Sequence, residues 1–130
     1  MKTRIPIWIN ILQIVILTIL AFQTYACYIN PSLFYPGFVV DENTSKIIYT
    51  LAGRNAVMAI ISIIALARQE PRFYSFAFLM HSLRELQDMF IMPLTSGVFV
   101  MFFVFLFGFV IPEILAFWKL NTMANHTMEA

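Results

Sequence analysis

The stretch HSLRELQDMF, residues 81–90, places four ionisable side chains close together in a chain that is otherwise largely apolar. His81, Arg84, Glu85 and Asp88 follow the spacing i, i+3, i+4 and i+7. In an α-helix this spacing gathers the four side chains onto one face, within an arc of about 100°. The fold depends on whether that face points to water, to lipid headgroups or into a protein interior.

The composition favours lipid as the surrounding solvent. Of 130 residues, 61% are hydrophobic and only 12% are charged, whereas soluble domains carry about 25% charged residues. The net charge of +1 and the absence of a Lys or Arg cluster give no basis for nucleic-acid binding. The single cysteine, Cys27, excludes an intrachain disulfide and a cysteine-based zinc site. We predict no cofactor.

Four apolar segments have the length of about 20 residues that crosses the hydrocarbon core of a bilayer. Pro71 and Pro93 punctuate the gaps around the third segment, because proline disfavours a continuing helix. The sequence therefore predicts an all-α, multi-pass membrane protein with four transmembrane helices in an antiparallel bundle, forming a single domain over residues 1–130. The predicted spans are residues 5–26, 47–67, 73–92 and 98–118.

The first segment also has some features of a cleaved signal peptide. Lys2 and Arg4 precede it, and Ala26 stands directly before Cys27. Its apolar region, however, exceeds the about 7–15 residues usual in signal peptides. We therefore expect a retained helix.

The cations predict the orientation, since cytoplasmic loops are enriched in Lys and Arg. Cations lie before the first span, between the second and third, and after the fourth, whereas the other two connections hold few. Both termini are therefore expected in the cytoplasm. The cations are Lys2, Arg4, Arg68, Arg72 and Lys119.

The connection CYINPSLFYPGFVVDENTS, residues 27–45, is the only long one. It carries the aromatic residues Tyr28, Phe34, Tyr35 and Phe38. Aromatic rings are favoured at the headgroup level. The segment is interpreted either as an interfacial anchor or as a lid over a ligand site.

The third span has an apolar face opposite its charged one. An amphipathic helix could lie flat in the headgroups, but such helices usually show Lys and Arg on the polar face, whereas here Glu85 and Asp88 stand beside the single Arg84. We therefore expect the charges to turn inward, where they need partners. The opposite face carries Phe76, Leu79, Leu83, Leu86 and Phe90.

The second span, LAGRNAVMAIISIIALA (residues 51–67), supplies such partners. Arg54 is expected at the depth of Glu85 and Asp88 and can bind either carboxylate through two hydrogen bonds, while Arg84 neutralises the other. Ala52, Ala56 and Ala59, with Gly53, predict a small-residue surface for close helix approach, and Gln13 and Gln23 could complete the network. The predicted ligand-binding or ion-pair network is Arg54, Asn55, His81, Arg84, Glu85 and Asp88.

Glu113 follows Pro112 near the cytoplasmic end of the fourth span, and we expect it far in depth from Arg54. It is interpreted either as a partner of Arg68 or Arg72, or as a second acid facing the same internal cavity. The spacing of His81, Glu85 and Asp88 could hold a metal, but the neighbouring arginines oppose this. No metal is predicted.

The stretch LAGRNAVMAIISIIALARQEPRF (residues 51–73) followed by LRELQD (83–88) resembles small four-helix membrane proteins with an Arg-Asn or Arg-Asp pair early in helix two and an acid late in helix three. DoxX-like proteins have this size and shape. The four-helix scaffold family of ergosterol biosynthesis shows a similar helix-two arginine and a polar GHFLSEL-type patch in helix three. The matching positions here are Arg54, Asn55, His81, Glu85 and Asp88. The resemblance implies a four-helix fold, and the scaffold family implies tethering of lipid-modifying enzymes.

Four functions remain open from the sequence. The first is non-enzymatic binding of a lipid-like molecule or a partner membrane protein, with Arg54 holding an anionic or hydroxyl head group. The second is an intramembrane isomerase that uses His81 with Glu85 or Glu113 as acid and base. The third is a proton-linked transporter, and the fourth is an accessory subunit of a larger membrane complex. Membrane lipids are expected partners, and a homo-oligomer is also compatible.

Overall fold

The computed structural model describes residues 4–33, 41–96 and 99–126, and within these ranges every regular element is helical. A short 3-10 turn, Pro31–Leu33, follows the first helix, and a π-helical segment, Leu106–Val110, joins the last two. The predicted all-α class is confirmed. The helices are α1 (Ile7–Ile29), α2 (Glu42–Arg68), α3 (Pro71–Ser96), α4 (Phe99–Phe105) and α5 (Ile111–His126).

Three helical segments are long and apolar enough to cross a membrane: Ile7–Ile29, Glu42–Arg68 and Phe102–Asn125. Only 22–28% of the residues in their apolar windows are buried, and large apolar side chains such as Ile11, Val57 and Trp118 are exposed. Large exposed apolar side chains of this kind suit a lipid environment and would be unfavourable in water. Among the described helices α3 is long but too rich in charge to meet the same standard.

The chain forms two compact units. We call Ile7–Leu66 the N-terminal hairpin, and Met1–Pro6 with Ala67–Ala130 the C-terminal hairpin.

Contacts in the N-terminal hairpin show that α1 and α2 run antiparallel. Near the connection, the rings of Tyr28 and Tyr49 stack with centroids 5.7 Å apart. Beside them Cys27 packs against Ile48 and Ala52 in a buried apolar cluster. The residues of α2 therefore rise in number as their partners in α1 fall, as an antiparallel hairpin requires.

The side chain of Asp41 fixes the start of α2. Its Oδ1 accepts hydrogen bonds from the backbone N–H groups of Asn43 (2.9 Å) and Thr44 (2.7 Å). The Thr44 hydroxyl in turn accepts from the backbone N–H of Asp41 at 2.9 Å. This reciprocal cap satisfies donors that a helix start otherwise leaves unpaired.

The turn between α2 and α3 contains only Gln69 and Glu70. Gln69 has φ 52°, a left-handed conformation that glycine usually supplies at a helix end. Its Nε2 donates to the Tyr74 hydroxyl oxygen at 2.8 Å, which holds this conformation in place. On the same turn, the Arg68 guanidinium lies 4.7 Å from the centre of the Phe73 ring.

The last helix contains a wide turn next to a proline. The N–H of Ile111 donates to the carbonyl of Leu106, five residues earlier, and Pro112 follows. In a regular α-helix the Pro112 ring would collide with the carbonyl of Gly108, and the wide π turn relieves that collision.

In the C-terminal hairpin, α3 packs against the α4–α5 helix in an antiparallel direction. Phe90 meets Phe102 edge to face near the connection, with centroids 6.4 Å apart. Farther from the connection, Ser82 lies beside Glu113.

Several helices extend beyond the predicted spans, because a span is defined by its apolar residues and a helix by its backbone hydrogen bonds. The first helix includes Tyr28, which was expected in the long connection, and α2 begins five residues before the predicted span, at its Asp41 cap. Pro93 lies inside α3, as is tolerated in membrane-type helices. Phe34, Tyr35 and Phe38, and with them the choice between anchor and lid, lie outside the described residues.

Acidification should loosen the first turn of α2. Hydrogen bonds from the backbone N–H and the hydroxyl of Thr44 lower the pKa of Asp41 below its unfolded value. Its stabilising effect is therefore complete above the ordinary Asp pKa of about 4 and is lost as the pH falls through the lower folded pKa. Hydrogen-exchange protection of the Asn43 and Thr44 amides should fall in that window.

Two variants of Asp41 distinguish the effect of its negative charge from the effect of its capping hydrogen bonds. Asp41→Asn should keep protection at all pH values, since asparagine also caps helices. Asp41→Ala should lose protection at every pH. Protection of the wild type that does not change across the window would contradict this role of Asp41.

Replacing Gln69 tests its backbone conformation. Gln69→Gly and Gln69→Ala both remove the hydrogen bond to Tyr74, but only glycine adopts φ 52° without steric cost. Gln69→Gly should therefore be more stable than Gln69→Ala by about 1 kcal/mol. Unfolding in detergent micelles, followed by circular dichroism, measures the difference. At Gln87, an exposed position inside a helix, the alanine variant should instead be more stable than the glycine variant. If glycine is the more stable replacement at both positions, the conformational explanation for Gln69 is wrong.

Candidate functional site

The helix α3 has its polar side chains inside and its apolar side chains outside. His81 is 0% exposed and Glu85 is 3% exposed, whereas Leu83 is 54% exposed and Phe90 is 60% exposed. A helix on a water-soluble protein shows the opposite pattern. The inward face predicted from the spacing is therefore observed for His81, Arg84 and Glu85, and Asp88 is half-buried.

We give the name polar cluster to five buried polar residues of the C-terminal hairpin. They are His81, Ser82, Arg84 and Glu85 of α3 and Glu113 of α5.

An ion pair lies inside the polar cluster. The Nη2 of Arg84 contacts the Oε1 of Glu85, and both side chains are almost fully buried. Removing both ions from water costs several kcal/mol each, an order-of-magnitude figure. Their mutual attraction offsets this cost only while both charges are present.

The structure brings Glu113 into the same cluster. Its side chain is 0% exposed, lies beside Ser82 and is attracted by Arg84. It thus lies with the charges of α3, and this supports the interpretation as a second acid facing the interior. Arg68, one of the two cations considered as its partner, stacks on Phe73.

The hydroxyl of Ser82 has two acceptors within reach. Ser82 Oγ lies 2.7 Å from the carbonyl oxygen of Phe78 and also within hydrogen-bonding reach of Glu113, and its single hydrogen can serve only one of them at a time. While that hydrogen serves Phe78, neither carboxylate oxygen of Glu113 receives a hydrogen bond from a described residue. A buried carboxylate with so few donors is costly and calls for a functional explanation.

Aromatic rings line the same inward face of α3. The Phe78 ring lies edge-on to His81, with centroids 6.4 Å apart and an interplanar angle of 72°. Tyr74 lies one turn before Phe78, with centroids 6.4 Å apart. The polar cluster therefore adjoins an apolar aromatic wall.

The remaining predicted network residues belong to the N-terminal hairpin. Asn55 is buried, and its Nδ2 donates to Gln23 Oε1 at 3.2 Å, so this amide pair joins α1 to α2. Arg54 is half-buried. Its predicted pairing with Glu85 or Asp88 would join the two hairpins and stays a prediction.

The predicted small-residue surface of α2 is found in part. Ala52 is buried and shares a face with the buried small residues Ser62 and Ala65 and with Asn55. A Cβ added at Gly53 would meet no described atom within 4 Å.

The sequence analysis did not single out Ser82, which directly follows His81. It expected Glu113 near the cytoplasmic end of the fourth span, far in depth from Arg54. A signal was available, because antiparallel helices joined by a short connection place residues equally distant from that connection at the same depth. Ser82 and Glu113 lie at nearly equal distances from residues 97–98.

Among the described residues no group of three His, Cys, Asp or Glu side chains could hold a metal ion. The arrangement instead offers one guanidinium, two carboxylates, an imidazole and a hydroxyl to a polar group.

Comparisons with known proteins found no matching family model, curated protein or solved structure. The resemblance to four-helix membrane proteins therefore stays a prediction, and the argument for function depends on the geometry of the polar cluster.

Removing one ion of the buried pair should be more damaging than removing both. Arg84→Met leaves Glu85 and Glu113 buried without their cation and should cost about 3–5 kcal/mol. The double variant Arg84→Met/Glu85→Leu should recover much of that loss. Unfolding in detergent micelles measures both variants.

Arg72, an exposed arginine on the same helix, provides the control. Arg72→Met should cost no more than about 1 kcal/mol, as for other surface charges. Equal costs for Arg72→Met and Arg84→Met would show that the buried pair has no special role.

Proposed function

We propose that this chain is an integral membrane protein with four spans that binds a lipid-like molecule through the polar cluster. A partner membrane protein occupying the same cluster is the variant of this proposal that the sequence also left open. In this proposal the four spans form an antiparallel bundle, and α3 supplies the fourth span.

The orientation of α3 is the observation that carries the proposal. Its 26 residues extend about 39 Å at 1.5 Å per residue, enough for a bilayer core. Its outer face carries large apolar side chains and its inner face carries the ions. A helix lying on a membrane surface would present those ions to water, whereas a spanning helix would bury them.

The positions of the cations support cytoplasmic termini. Arg68 and Arg72 flank the α2–α3 turn, and Lys119 lies in the second half of α5. With Lys2 and Arg4 these cations lie on one side of a four-span arrangement, in agreement with the positive-inside rule.

The composition of the polar cluster fits a molecule with a polar head and an apolar body. Arg84 and Glu113 can bind a head group, and Phe78 and Tyr74 provide an apolar wall beside them. Ligand sites commonly combine a mainly apolar lining with a few such polar groups.

A second candidate function has one specific observation in its favour. Glu113 lies beside Ser82, the residue next to His81, so the acid and base named for an intramembrane isomerase occur in the same cluster. Acid–base catalysis needs both groups within reach of the transferred proton. In this alternative, binding of the apolar substrate would use the same aromatic wall.

Photo-crosslinking tests the proposed binding. The purified protein is placed in liposomes with photoreactive, clickable amphiphiles of equal chain length, and labelled peptides are mapped. At least one amphiphile should label α3 and α5 saturably and be displaced by its unlabelled form. Arg84→Met/Glu85→Leu/Glu113→Gln should abolish this labelling, because it removes the arginine and both carboxylates of the polar cluster together and leaves none of them unpaired.

The matched control is Gln87→Leu on the exposed face of α3, which should leave labelling unchanged. Circular dichroism should show equal helicity in all variants. If no amphiphile labels the wild type more than this triple variant, the proposed function is wrong.

A further inference from the structure

The carboxylate of Glu113 is buried and has few hydrogen-bond donors near it. Its side chain has no solvent exposure. The Ser82 hydroxyl lies within hydrogen-bonding reach of Glu113 and also 2.7 Å from the carbonyl oxygen of Phe78, and its single hydrogen can serve only one of them. While that hydrogen serves Phe78, neither oxygen of Glu113 receives a hydrogen bond from a described residue. The two oxygens of Glu113 and the oxygen of Ser82 then form a group of three acceptors.

The charges around Glu113 are also unbalanced. Arg84 is the cation that acts on Glu113, but it already pairs with Glu85. Glu113 remains a negative charge in excess, and an uncompensated ion in a low-dielectric interior is strongly unfavourable.

We propose that the polar cluster selects a long-chain amine, whose protonated head binds Glu113 and Ser82. This inference rests on the proposed function, and it names the chemical class of the ligand. An ammonium group carries one positive charge and three donors, which match the excess charge and the three acceptors. Its hydrocarbon chain would lie against the aromatic side chains of the hairpin.

Other head groups fit less well. A carboxylate head would add a second negative charge beside Glu113. An alcohol supplies one donor and leaves the charge of Glu113 uncompensated. Arg84 is also less available to an anionic head, because it already pairs with Glu85.

Protonation of Glu113 is the alternative way to remove its excess negative charge. A protonated Glu113 needs no cationic ligand, and the amide in Glu113→Gln would then replace it without loss. The two solutions therefore differ in how amine binding responds to Glu113→Gln.

The experiment compares three photoreactive, clickable amphiphiles of equal chain length at pH 7: a primary amine, an alcohol and a carboxylic acid. The full-length protein is reconstituted in phosphatidylcholine liposomes, and labelling is mapped to α3 and α5 peptides. The amine should label at least about tenfold more than the acid, and Glu113→Gln should reduce amine labelling at least about tenfold, the effect of losing about 1.4 kcal/mol of binding energy.

Two further variants make the result specific. Ser82→Ala removes only the third acceptor and should weaken amine labelling severalfold while leaving acid labelling unchanged. Glu42→Gln changes an exposed acid in the first turn of α2 and should have no effect. Circular dichroism and displacement by unlabelled amine show that each variant is folded and that labelling is saturable.

Each outcome decides between the two proposals. Equal or stronger labelling by the acid or alcohol, or full amine labelling of Glu113→Gln, would overturn the amine inference. The proposed function would still stand if the labelling amphiphile required Arg84 and Glu85. Saturable labelling by none of the three would overturn both.

Discussion

Buried charge in α3 is the constraint on which the C-terminal hairpin depends. An ion removed from water must find compensation nearby, because its solvation energy far exceeds what packing can return. Arg84 provides that compensation for Glu85 and is shared with Glu113. Because the ions of α3 point inward, its apolar side chains form the outer face of the helix.

In the N-terminal hairpin the described contacts between helices include neutral groups. Asn55 of α2 forms an amide pair with Gln23 of α1, and an apolar cluster surrounds Cys27. Neutral hydrogen bonds between membrane-type helices stabilise modestly, by about 0.6 kcal/mol on average. The two hairpins therefore differ in chemistry, with structural amides in one and an unsatisfied carboxylate in the other. The difference places the candidate site in the C-terminal hairpin.

Part of the site followed from local sequence. The i, i+3, i+4, i+7 spacing placed His81, Arg84 and Glu85 on one face, and composition indicated that this face turns inward. The position of Glu113 did not follow, because an apolar run defines helix ends only loosely and the depth of a residue depends on register. The π turn before Pro112 was not predicted either. It relieves a collision between the Pro112 ring and the preceding turn, in a segment whose sequence is apolar throughout.

The sequence by itself determined the helical class, three segments apolar enough for a membrane, and the one-sided character of α3, because periodicity and composition are local properties of the chain. The tertiary structure decided which polar groups of different helices meet. Bringing Glu113 beside Ser82 and joining Asn55 to Gln23 both depend on helix register and packing. Register and packing are set by contacts between residues that are distant in sequence.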